Sequence, residues 1–254
     1  MNNQVKILGV PVSRLNKKQI IERIKAYLQD GQQHQLATVN PEFLLEAQQN
    51  EGFFNILNQT NLNIPDGIGL KFASWLHGSN IIRYAGSDLM QDILVMAEIQ
   101  NMKVVVINWD QGLSSNSEIY QVAKRLFPNL ELRVISTERD AIPSLELENY
   151  SPDILFCALG SPWQEEFVSQ AIKSIQSIKV GIGIGGSFDF LTGKIKRAPQ
   201  LMRALGLEWL WRLFQKPKAN GKKVYKRYRR IYNAFIIFSL KAFLERLGFK
   251  QRNF

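Results

Sequence analysis

Short apolar runs that alternate with segments of helical periodicity are the feature that most constrains the fold of this chain. Six runs have the length and composition of buried strands: HQLATVN, LNIP, KVVVINW, LELRVIS, DILFCALG and IKVGIGIGG. The segments beside them are amphipathic, and two begin at candidate N-caps, Asn16 and Ser115, while a third has Pro41 at its first position. Strands that alternate with helices form a mostly parallel sheet covered on both faces. The sequence therefore predicts an α/β fold.

Composition removes several classes of protein. The single cysteine, Cys157, lies in the apolar run DILFCALG, which predicts a reduced core thiol, as in cytoplasmic proteins, and leaves no cysteine-based metal site. His34 and His77 are not in ligand spacing, and the sequence contains no D-x-D, G-x-S-x-G or P-loop pattern. It has no signal-peptide pattern and no run of 18 uncharged apolar residues, so we expect no membrane-spanning helix.

The positive charge of the chain is concentrated in one segment near the C-terminus. The net charge is +10, and residues 209–244 carry ten Lys or Arg and no Asp or Glu, which leaves 22 basic residues against 22 acidic ones. We predict an α/β core over residues 1–195 and a helical, basic, amphipathic appendage over residues 196–254. Such a charge distribution indicates that the appendage has a partner of its own.

Three kinds of partner fit this appendage. Its basic residues favour an anionic membrane surface, and a following helix offers apolar side chains for shallow insertion: Phe235, Ile236, Phe238, Leu240, Phe243 and Leu244. The same helix could instead dock against the core or a neighbouring subunit. The run KKVYKRYRR, with its interleaved tyrosines, also suits a nucleic-acid phosphate track.

Polar residues and glycines directly follow the predicted strands. They are Thr38, Asn40, Asp66, Asn108, Gly160 and Gly186. Since ligands of open α/β sheets bind outside the carboxyl ends of the strands, we expect these residues to line one site. Asp66, in NIPDGIGL, could cap the next helix or act as a general base, and the residue chemistry leaves both roles open.

Two further motifs lie at the predicted strand ends. GIGIGG, residues 181–186, matches G-x-G-x-x-G, but the SFDFLTGKIKRAP that follows reads as a loop and Glu208 falls in a helical stretch, so we expect no nicotinamide cofactor. Its glycines are suited to close backbone approach. In GSPWQEEF, Gln164 could face a polar ligand, whereas Glu165 and Glu166 could simply complement the helix dipole.

Five motifs, in order, resemble those of the bacterial WecG/TagA/CpsF family of glycosyltransferases: TVNPEFLLEA, IPDGIGL, GSPWQEEF, GIGIGGSFDFLTGKIKRAP and LGLEWLWRLFQKP. The resemblance covers approximately residues 5 to 230. It implies a Rossmann-like core and an inverting transfer of an N-acetylmannosamine-type or related sugar from a UDP donor to a polyprenyl-diphosphate-linked sugar, in cell-surface polysaccharide or teichoic-acid-type biosynthesis. It implies no metal and no cofactor, and a cytoplasmic enzyme peripherally associated with the inner face of the plasma membrane. A homo-oligomer is compatible with the exposed aromatic residues that we expect near the appendage.

The resemblance also implies roles for single residues. Asp66 corresponds to the catalytic base, and Thr38, Asn40 and Gln164 match positions that line the donor and reaction site. Arg83 matches a basic residue near the same pocket, and Asp189 a position suited to the nucleotide, close to Gly186. A last set matches appendage arginines that close over diphosphate groups: Arg212, Arg227 and Arg230.

Two loops depart from the pattern of the family. Relatives commonly carry a glycine-rich strand end where this chain has VVVINWDQG, and a glycine-aromatic turn where it has STERDAIP. Both loops, at residues 107–112 and 136–143, should lie at the ligand edge, so different contacts to the donor sugar or nucleotide are an open alternative, and the resemblance does not fix the donor. A binding-only member of the family that has lost catalysis is the remaining alternative.

Overall fold

A parallel sheet forms the centre of the protein in the computed structural model, which describes residues 3–139, 141–204, 211 and 233–249. The strands in these residues are β1 (Gln4–Ile7), β2 (Val10–Ser13), β3 (His34–Val39), β4 (Leu62–Pro65), β5 (Lys103–Trp109), β6 (Glu131–Thr137), β7 (Ile154–Cys157) and β8 (Val180–Gly183). Strands β3 to β8 make one sheet in the order β4-β3-β8-β7-β5-β6, with every neighbouring pair parallel. Strands β1 and β2 form a separate antiparallel hairpin. The predicted α/β class is confirmed.

Helices cover both faces of this sheet. In the described residues they are α1 (Lys17–Tyr27), α2 (Pro41–Ala47), α3 (Glu51–Gln59), α4 (Ile68–Leu76), α5 (Gly86–Ile99), α6 (Asn116–Leu126), α7 (Ser144–Tyr150), α8 (Trp163–Ser174), α9 (Ser187–Leu191), α10 (Gln200–Ala204) and α11 (Phe238–Arg246). A π-helical turn over Asn233–Ile237 leads directly into α11.

Alternate residues of the central strands enter apolar clusters on opposite faces of the sheet. On β5, Val104 and Val106 pack with α1, α5 and α6, whereas Val105 and Ile107 pack with α7 and α8. A third cluster joins the outer face of β3 to the hairpin, α2, α3 and α4. Because both faces are covered, the inner strands β5, β7 and β8 are buried almost throughout, whereas the edge strand β6 alternates between buried and exposed residues.

The predicted helix starts are present. Asn16 Oδ1 accepts a hydrogen bond from the N–H of Gln19, whose side chain accepts one from the N–H of Asn16. Ser115 and Glu118 form the same reciprocal box at the start of α6, and Pro41 occupies the first position of α2. Each box satisfies N–H groups that the helix itself leaves without partners.

The prediction of a loop after the glycine run, residues 181–186, is wrong for the first residues of that loop. Ser187–Leu191 forms helix α9 directly after Gly186, because Phe188 is buried in the main apolar cluster and anchors this short helix to the sheet. Burial in the tertiary structure thus outweighs weak local propensity here. The hairpin β1–β2 also has no counterpart in the strands expected from the sequence.

Helix α11 docks against the core. It packs on α4 and α2, and Phe238 and Ala242 are fully buried in the cluster around the hairpin. The expectation that Phe238 inserts into a membrane is therefore wrong, because its ring lies inside the protein. Leu240 and Phe243 are exposed, whereas the side chain of Phe235 lies outside the described residues.

Most of the basic segment lies outside the described residues. It includes the three arginines predicted to close over diphosphate groups: Arg212, Arg227 and Arg230. The boundary between residues 195 and 196 remains a prediction. Where helices are described, none is long and apolar enough to cross a membrane.

The sheet order creates a change of direction in the chain at the edge that carries the strand ends. From β3 the chain moves outward to β4, then crosses to β5 and moves outward to β6 on the other side, before β7 and β8 fill the centre. Because the strands are parallel, all six carboxyl ends lie at one edge. Open α/β sheets bind ligands at such a position.

Candidate active site

Asp66 directly follows β4, and its carboxylate faces the start of α5. Its backbone N–H donates to the carbonyl oxygen of Val39 at 2.8 Å, which holds the residue at the sheet edge. Its Oδ2 accepts a hydrogen bond from the N–H of Gly86 at 3.0 Å, and Arg83 Nη2 lies 3.5 Å from its Oδ1. The side chain keeps 28% of its surface exposed. The carboxylate is thus held in place and accessible to a substrate.

This geometry removes one of the two roles considered for Asp66. The residue is not the N-cap of the helix that follows it, because Gly67 occupies that position at the start of α4. The carboxylate instead meets the N-terminus of α5, 20 residues further along the chain. The partial positive charge of a helix N-terminus stabilises an anion there. The assignment of Asp66 as a base remains a prediction.

Thr38 lies beside this carboxylate on β3. A Cβ on Gly86 would lie 3.1 Å from Thr38 Oγ1 and 3.2 Å from its Cγ2, so a larger residue would force Thr38 or the start of α5 to shift. The absence of a side chain at Gly86 therefore allows its N–H to reach Asp66 while α5 packs on Thr38.

Asn40 has a structural task that the sequence did not assign to it. Its Oδ1 accepts hydrogen bonds from the N–H groups of Glu42 at 2.8 Å and Phe43 at 3.2 Å, so the residue is the N-cap of α2. It also neighbours Gly67, where an added Cβ would lie 3.5 Å from the Cβ of Asn40. Asn40 thus lies in the same group of loops as Asp66, and a contact with the donor remains a prediction.

Gln164 is buried, with 3% of its surface exposed, and both ends of its amide are bonded within the protein. Its Oε1 accepts from the N–H of Gly185 at 2.9 Å, and its Nε2 donates to Glu165 Oε1 at 2.6 Å. A Cβ on Gly183 would lie 2.5 Å from Gln164 Nε2 and 2.5 Å from Glu165 Oε1. Gln164 therefore fixes the turn after β8, and its predicted contact with a ligand is not tested by this geometry.

Glu165 is fully buried rather than solvated at the start of α8. Burial raises the pKa of its carboxyl group to about 8, against the opposing effect of hydrogen bonds from Gln164 and Ser161. Glu165 does lie in the first turn of α8, but burial and the raised pKa disfavour the anion that would complement the helix dipole. The residue packs under β8, where Gly183 leaves space for it.

Asp189 lies on α9, one helical turn after Gly186. Its Oδ1 accepts from Ser114 Oγ at 2.6 Å, and Ser114 Oγ is also 2.7 Å from Thr192 Oγ1. A Cβ on Gly186 would lie 2.8 Å from Asp189 Oδ2, so the absence of a side chain at Gly186 leaves space for this carboxylate. Burial raises the pKa of Asp189, and the hydrogen bond from Ser114 opposes the shift. The nucleotide role of Asp189 remains a prediction.

Arg197 connects α9 to α5, the helix whose first N–H group bonds to Asp66. Its Nη1 lies 2.7 Å from Asp88 Oδ1 and its Nη2 donates to Ser87 Oγ at 2.9 Å, both in the first turn of α5. Its Cζ also lies 5.6 Å from the centre of the Phe190 ring. Arg197 therefore holds together the two sides of the site.

The structure brings the predicted residues into two neighbouring groups. Around the end of β4 lie Thr38, Asn40, Asp66 and Arg83, and around the end of β8 lie Gln164, Gly186 and Asp189. Sequence reasoning missed Gly86, Ser114 and Arg197, and it did not predict the burial of Glu165. Arg197 stands in KIKRAP, within one of the quoted motifs, and Gly86 stands three residues after Arg83, whereas nothing local indicates that Glu165 is buried.

Within the described residues, no group of three or more His, Cys, Asp or Glu is arranged to hold a metal ion. The cationic side chains described between the two groups are Arg83 and Arg197, each paired with a carboxylate. The arrangement thus offers an anchored carboxylate at an exposed edge, with a guanidinium beside it, for acid–base chemistry on a bound hydroxyl.

Comparison with known proteins assigns this chain to a family. The model of the Glycosyl transferase WecG/TagA/CpsF family matches residues 5–252. An N-acetylglucosaminyldiphosphoundecaprenol N-acetyl-beta-D-mannosaminyltransferase of Bacillus subtilis (strain 168) is 29% identical over 216 residues, which are 83% of each chain.

Proteins with the same name occur among the relatives from Bacillus spizizenii and Staphylococcus aureus. The first is 32% identical over 197 residues, 75% of each chain, and that of strain MRSA252 is 29% identical over 216 residues, 82% of this chain and 84% of the relative. Among solved structures, an ABC-transporter solute-binding protein from R. palustris covers 95% of this chain and 69% of its own, but its TM-score of 0.30 and identity of 12% are too low to bear on fold or function.

Proposed function

Since this chain belongs to the WecG/TagA/CpsF family of glycosyl transferases and is therefore a glycosyltransferase, we propose that it transfers an N-acetylmannosamine-type or related sugar from UDP to a polyprenyl-diphosphate-linked sugar. The transfer inverts the anomeric centre and needs no metal ion. The names of the relatives support the acceptor class, because each is named for transfer to N-acetylglucosaminyldiphosphoundecaprenol. The product is a precursor of a cell-surface polysaccharide or teichoic-acid-type polymer.

The observation that carries this proposal is the position of the Asp66 carboxylate. It is anchored by the N–H of Gly86 at 3.0 Å, accompanied by Arg83 at 3.5 Å, and exposed at the carboxyl edge of the sheet. In the proposed reaction it takes the proton of the acceptor hydroxyl as that oxygen bonds to the anomeric carbon. The bond from this carbon to the donor phosphate breaks, and the electron pair leaves with UDP. General-base assistance of this kind contributes about 10²–10⁴-fold in rate.

In an inverting transfer, the cation beside the base and the cations that bind the leaving diphosphate lie on opposite sides of the reacting carbon. The attacking oxygen and the leaving phosphate lie on opposite sides of that carbon, and Arg83 neighbours Asp66 on the side of attack. The departing diphosphate therefore needs hydrogen-bond donors elsewhere. Arginine suits this role because two N–H groups of its planar guanidinium can bond to two phosphate oxygens at once. Arg212, Arg227 and Arg230 of the predicted appendage are the proposed donors.

The acceptor is a lipid, and we propose that the protein meets it at an anionic membrane surface. Leu240 and Phe243 on α11 and Phe72 and Trp75 on α4 are exposed, and α11 packs against α4. Together they offer exposed apolar side chains, and in the sequence the basic segment directly precedes α11 and the turn that leads into it. Basic residues near an anionic leaflet contribute about 1 kcal/mol each, and apolar side chains add shallow insertion.

The direct test is UDP release by purified protein from a panel of UDP-sugars, with a lipid-diphosphate-GlcNAc acceptor and with or without EDTA. We expect release that depends on the acceptor, survives EDTA and falls about 10²–10⁴-fold in Asp66→Asn. The asparagine keeps an oxygen that can accept from the N–H of Gly86, so the fold should persist.

Asp153→Asn is the matched control. Asp153 also accepts a backbone N–H, from Lys103 at 2.9 Å, and pairs with a cation, Lys179 at 2.7 Å, but it precedes β7 at the opposite edge of the sheet. Its replacement should leave turnover unchanged. Equal turnover by Asp66→Asn and the unaltered protein would remove Asp66 as the base, and loss of activity in EDTA would contradict metal independence.

A further inference from the structure

The two loops that depart from the family pattern meet in one stack of side chains. The guanidinium carbon Cζ of Arg139 lies 3.9 Å from the ring centre of Trp109 and 4.0 Å from that of Trp163. Trp109 ends β5, Arg139 follows β6, and Trp163 begins α8 after β7. The stack therefore stands at the carboxyl ends of three neighbouring strands, the edge at which such sheets bind ligands.

The stack fixes the guanidinium and leaves its outer edge available. Two indoles lie within 4.0 Å of the guanidinium carbon of Arg139, and its Nε donates to the carbonyl oxygen of Leu159 at 3.1 Å. Across the described residues, neither Nη1 nor Nη2 of Arg139 has a hydrogen bond or an ion pair. Because its orientation is already fixed, this guanidinium would lose little conformational entropy when its two remaining nitrogens bind a planar group.

The distance from Asp66 indicates which part of the donor reaches the stack. Asp66 follows β4, whereas Trp163 follows β7, three strands away in the order β4-β3-β8-β7. At 4.7–4.9 Å between strands, this separation is about 14 Å along the edge. A phosphate bonded to the reacting sugar carbon remains much closer to Asp66, so the far end of an extended nucleotide-sugar, its base, is the part that spans the distance.

We propose that Arg139, Trp109 and Trp163 form the subsite for the nucleobase of the donor. The nitrogens Nη1 and Nη2 donate in the plane of the base to its carbonyl oxygens, as arginine does to base edges in nucleic acids. The indoles supply flat apolar surface, and Trp163 still has 40% of its own surface exposed for it. This subsite rests on the proposed function, since it requires a nucleotide donor.

The subsite is tested by titrating the protein with uridine and with UDP in a calorimeter. Arg139→Gln removes the charged fork, and we expect it to weaken binding of both ligands about tenfold, the loss typical of removing an arginine from a base edge. The Michaelis constant for the donor should rise by a similar factor, with little change in turnover. Arg139→Lys, which keeps the charge but not the fork, should also bind uridine weakly.

Arg133→Gln is the matched control, because Arg133 also stacks on an aromatic ring, that of Tyr150 at 4.6 Å, but does so near the start of β6. It should bind uridine like the unaltered protein. If Arg139→Gln does not fold, tryptophan fluorescence provides a second measurement. Uridine should quench it in the unaltered protein and quench it less in Trp163→Phe, which keeps a ring over Arg139.

Each outcome separates the subsite from the proposed function. Unchanged uridine affinity in folded Arg139→Gln would overturn the subsite while transfer activity continued. Loss of UDP binding with uridine binding intact would also overturn it, because Arg139 would then meet phosphate. A protein that neither binds UDP nor transfers from any UDP-sugar would contradict the proposed function, and the subsite with it.

Discussion

Glu165 is the residue whose surroundings differ most from its place in the sequence. An acid in the first turn of a helix usually faces solvent, where it complements the helix dipole. Here the first turn of α8 packs under β8, and Gly183 leaves the space that Glu165 and Gln164 occupy. The acid then orients its neighbour: because Glu165 Oε1 accepts from the amide nitrogen of Gln164, the amide oxygen must face Gly185.

We predict that Glu165→Gln makes the stability of the protein less dependent on pH. The carboxyl pKa is about 8 in the folded protein against an ordinary 4.5, so the folded state holds this proton more tightly than the unfolded state. The stabilisation is complete below about pH 4.5 and is lost as the pH rises through about 8, by up to about 1.4 kcal/mol per pH unit. Urea unfolding between pH 5 and 8 measures this slope.

Glu166→Gln is the control for this prediction, because Glu166 neighbours Glu165 but is only partly buried. It should keep most of the pH dependence of the unaltered protein, because the charge of Glu166 is the smallest of the causes that act on the pKa of Glu165. An unchanged slope in Glu165→Gln would mean that Glu165 does not change its protonation over this range.

At Gly183 we predict that alanine destabilises the protein by about 1–3 kcal/mol through overpacking. The new Cβ would lie 2.5 Å from Gln164 Nε2 and Glu165 Oε1, two atoms of buried side chains that are bonded to each other. Gly52→Ala in α3 is the control, since its Cβ meets nothing closer than 3.4 Å and alanine favours helices by up to about 1 kcal/mol. Denaturant midpoints compare the two, and a loss of the same size at both positions would contradict the packing argument.

Among the elements, the hairpin β1–β2 depends on a helix from the other end of the chain. Its turn residues Leu8 and Gly9 have φ values of 49° and 74°, and a left-handed conformation is unfavourable for leucine by about 1–2 kcal/mol. Their N–H groups donate to the carboxylate of Glu245 on α11, at 2.7 and 3.0 Å. His77 Nε2 lies 3.2 Å from the same carboxylate. The long-range contact therefore stabilises a turn that local sequence disfavours.

We predict that Glu245→Ala destabilises the hairpin and α11 together, by about 1.5–3 kcal/mol, the contribution of hydrogen bonds to a charged group. Hydrogen exchange should quicken at the amides of Leu8 and Gly9 and along α11. Arg246→Ala, at the exposed residue next to Glu245, should leave these rates unchanged. Faster exchange in α11 alone would show that the turn holds without Glu245.

At the scale of the whole molecule, α11 has two different sides. Phe238 and Ala242 complete the core around the hairpin, whereas Leu240, Phe243 and Leu247 are exposed. The helix therefore docks on the core and still presents apolar side chains outward. Removing the chain after Pro199 would uncover the core under Phe238, so loss of activity on truncation would not by itself identify a catalytic role for the appendage.

A double substitution, Leu240→Ser with Phe243→Ser, tests the membrane proposal without disturbing the core. We predict weaker cosedimentation with anionic vesicles, because two apolar side chains no longer insert. Ile99→Ser, at an exposed apolar position on α5, should bind vesicles like the unaltered protein. Unchanged vesicle binding by the double variant would contradict insertion at α11, and a gel shift with nucleic acid but no vesicle binding would favour the phosphate track.

The sequence by itself determined the features that depend on neighbours along the chain. Alternating apolar runs and helical periods predicted the parallel sheet, because each pattern reports which side of one element is buried. Capping at Asn16 and Ser115 was predictable for the same reason, since each cap bonds three residues away. The order of the motifs also identified the family and marked Asp66 at a strand end.

Only the tertiary structure decided which side chains meet across the chain. Asp66 bonds to Gly86, 20 residues on, Glu245 bonds to a turn more than 230 residues away, and Arg139 lies between indoles from two other loops. Burial of Glu165 likewise depends on the fit of α8 under β8. Such contacts arise from packing between distant segments, and the periodicity of a single segment carries no record of them.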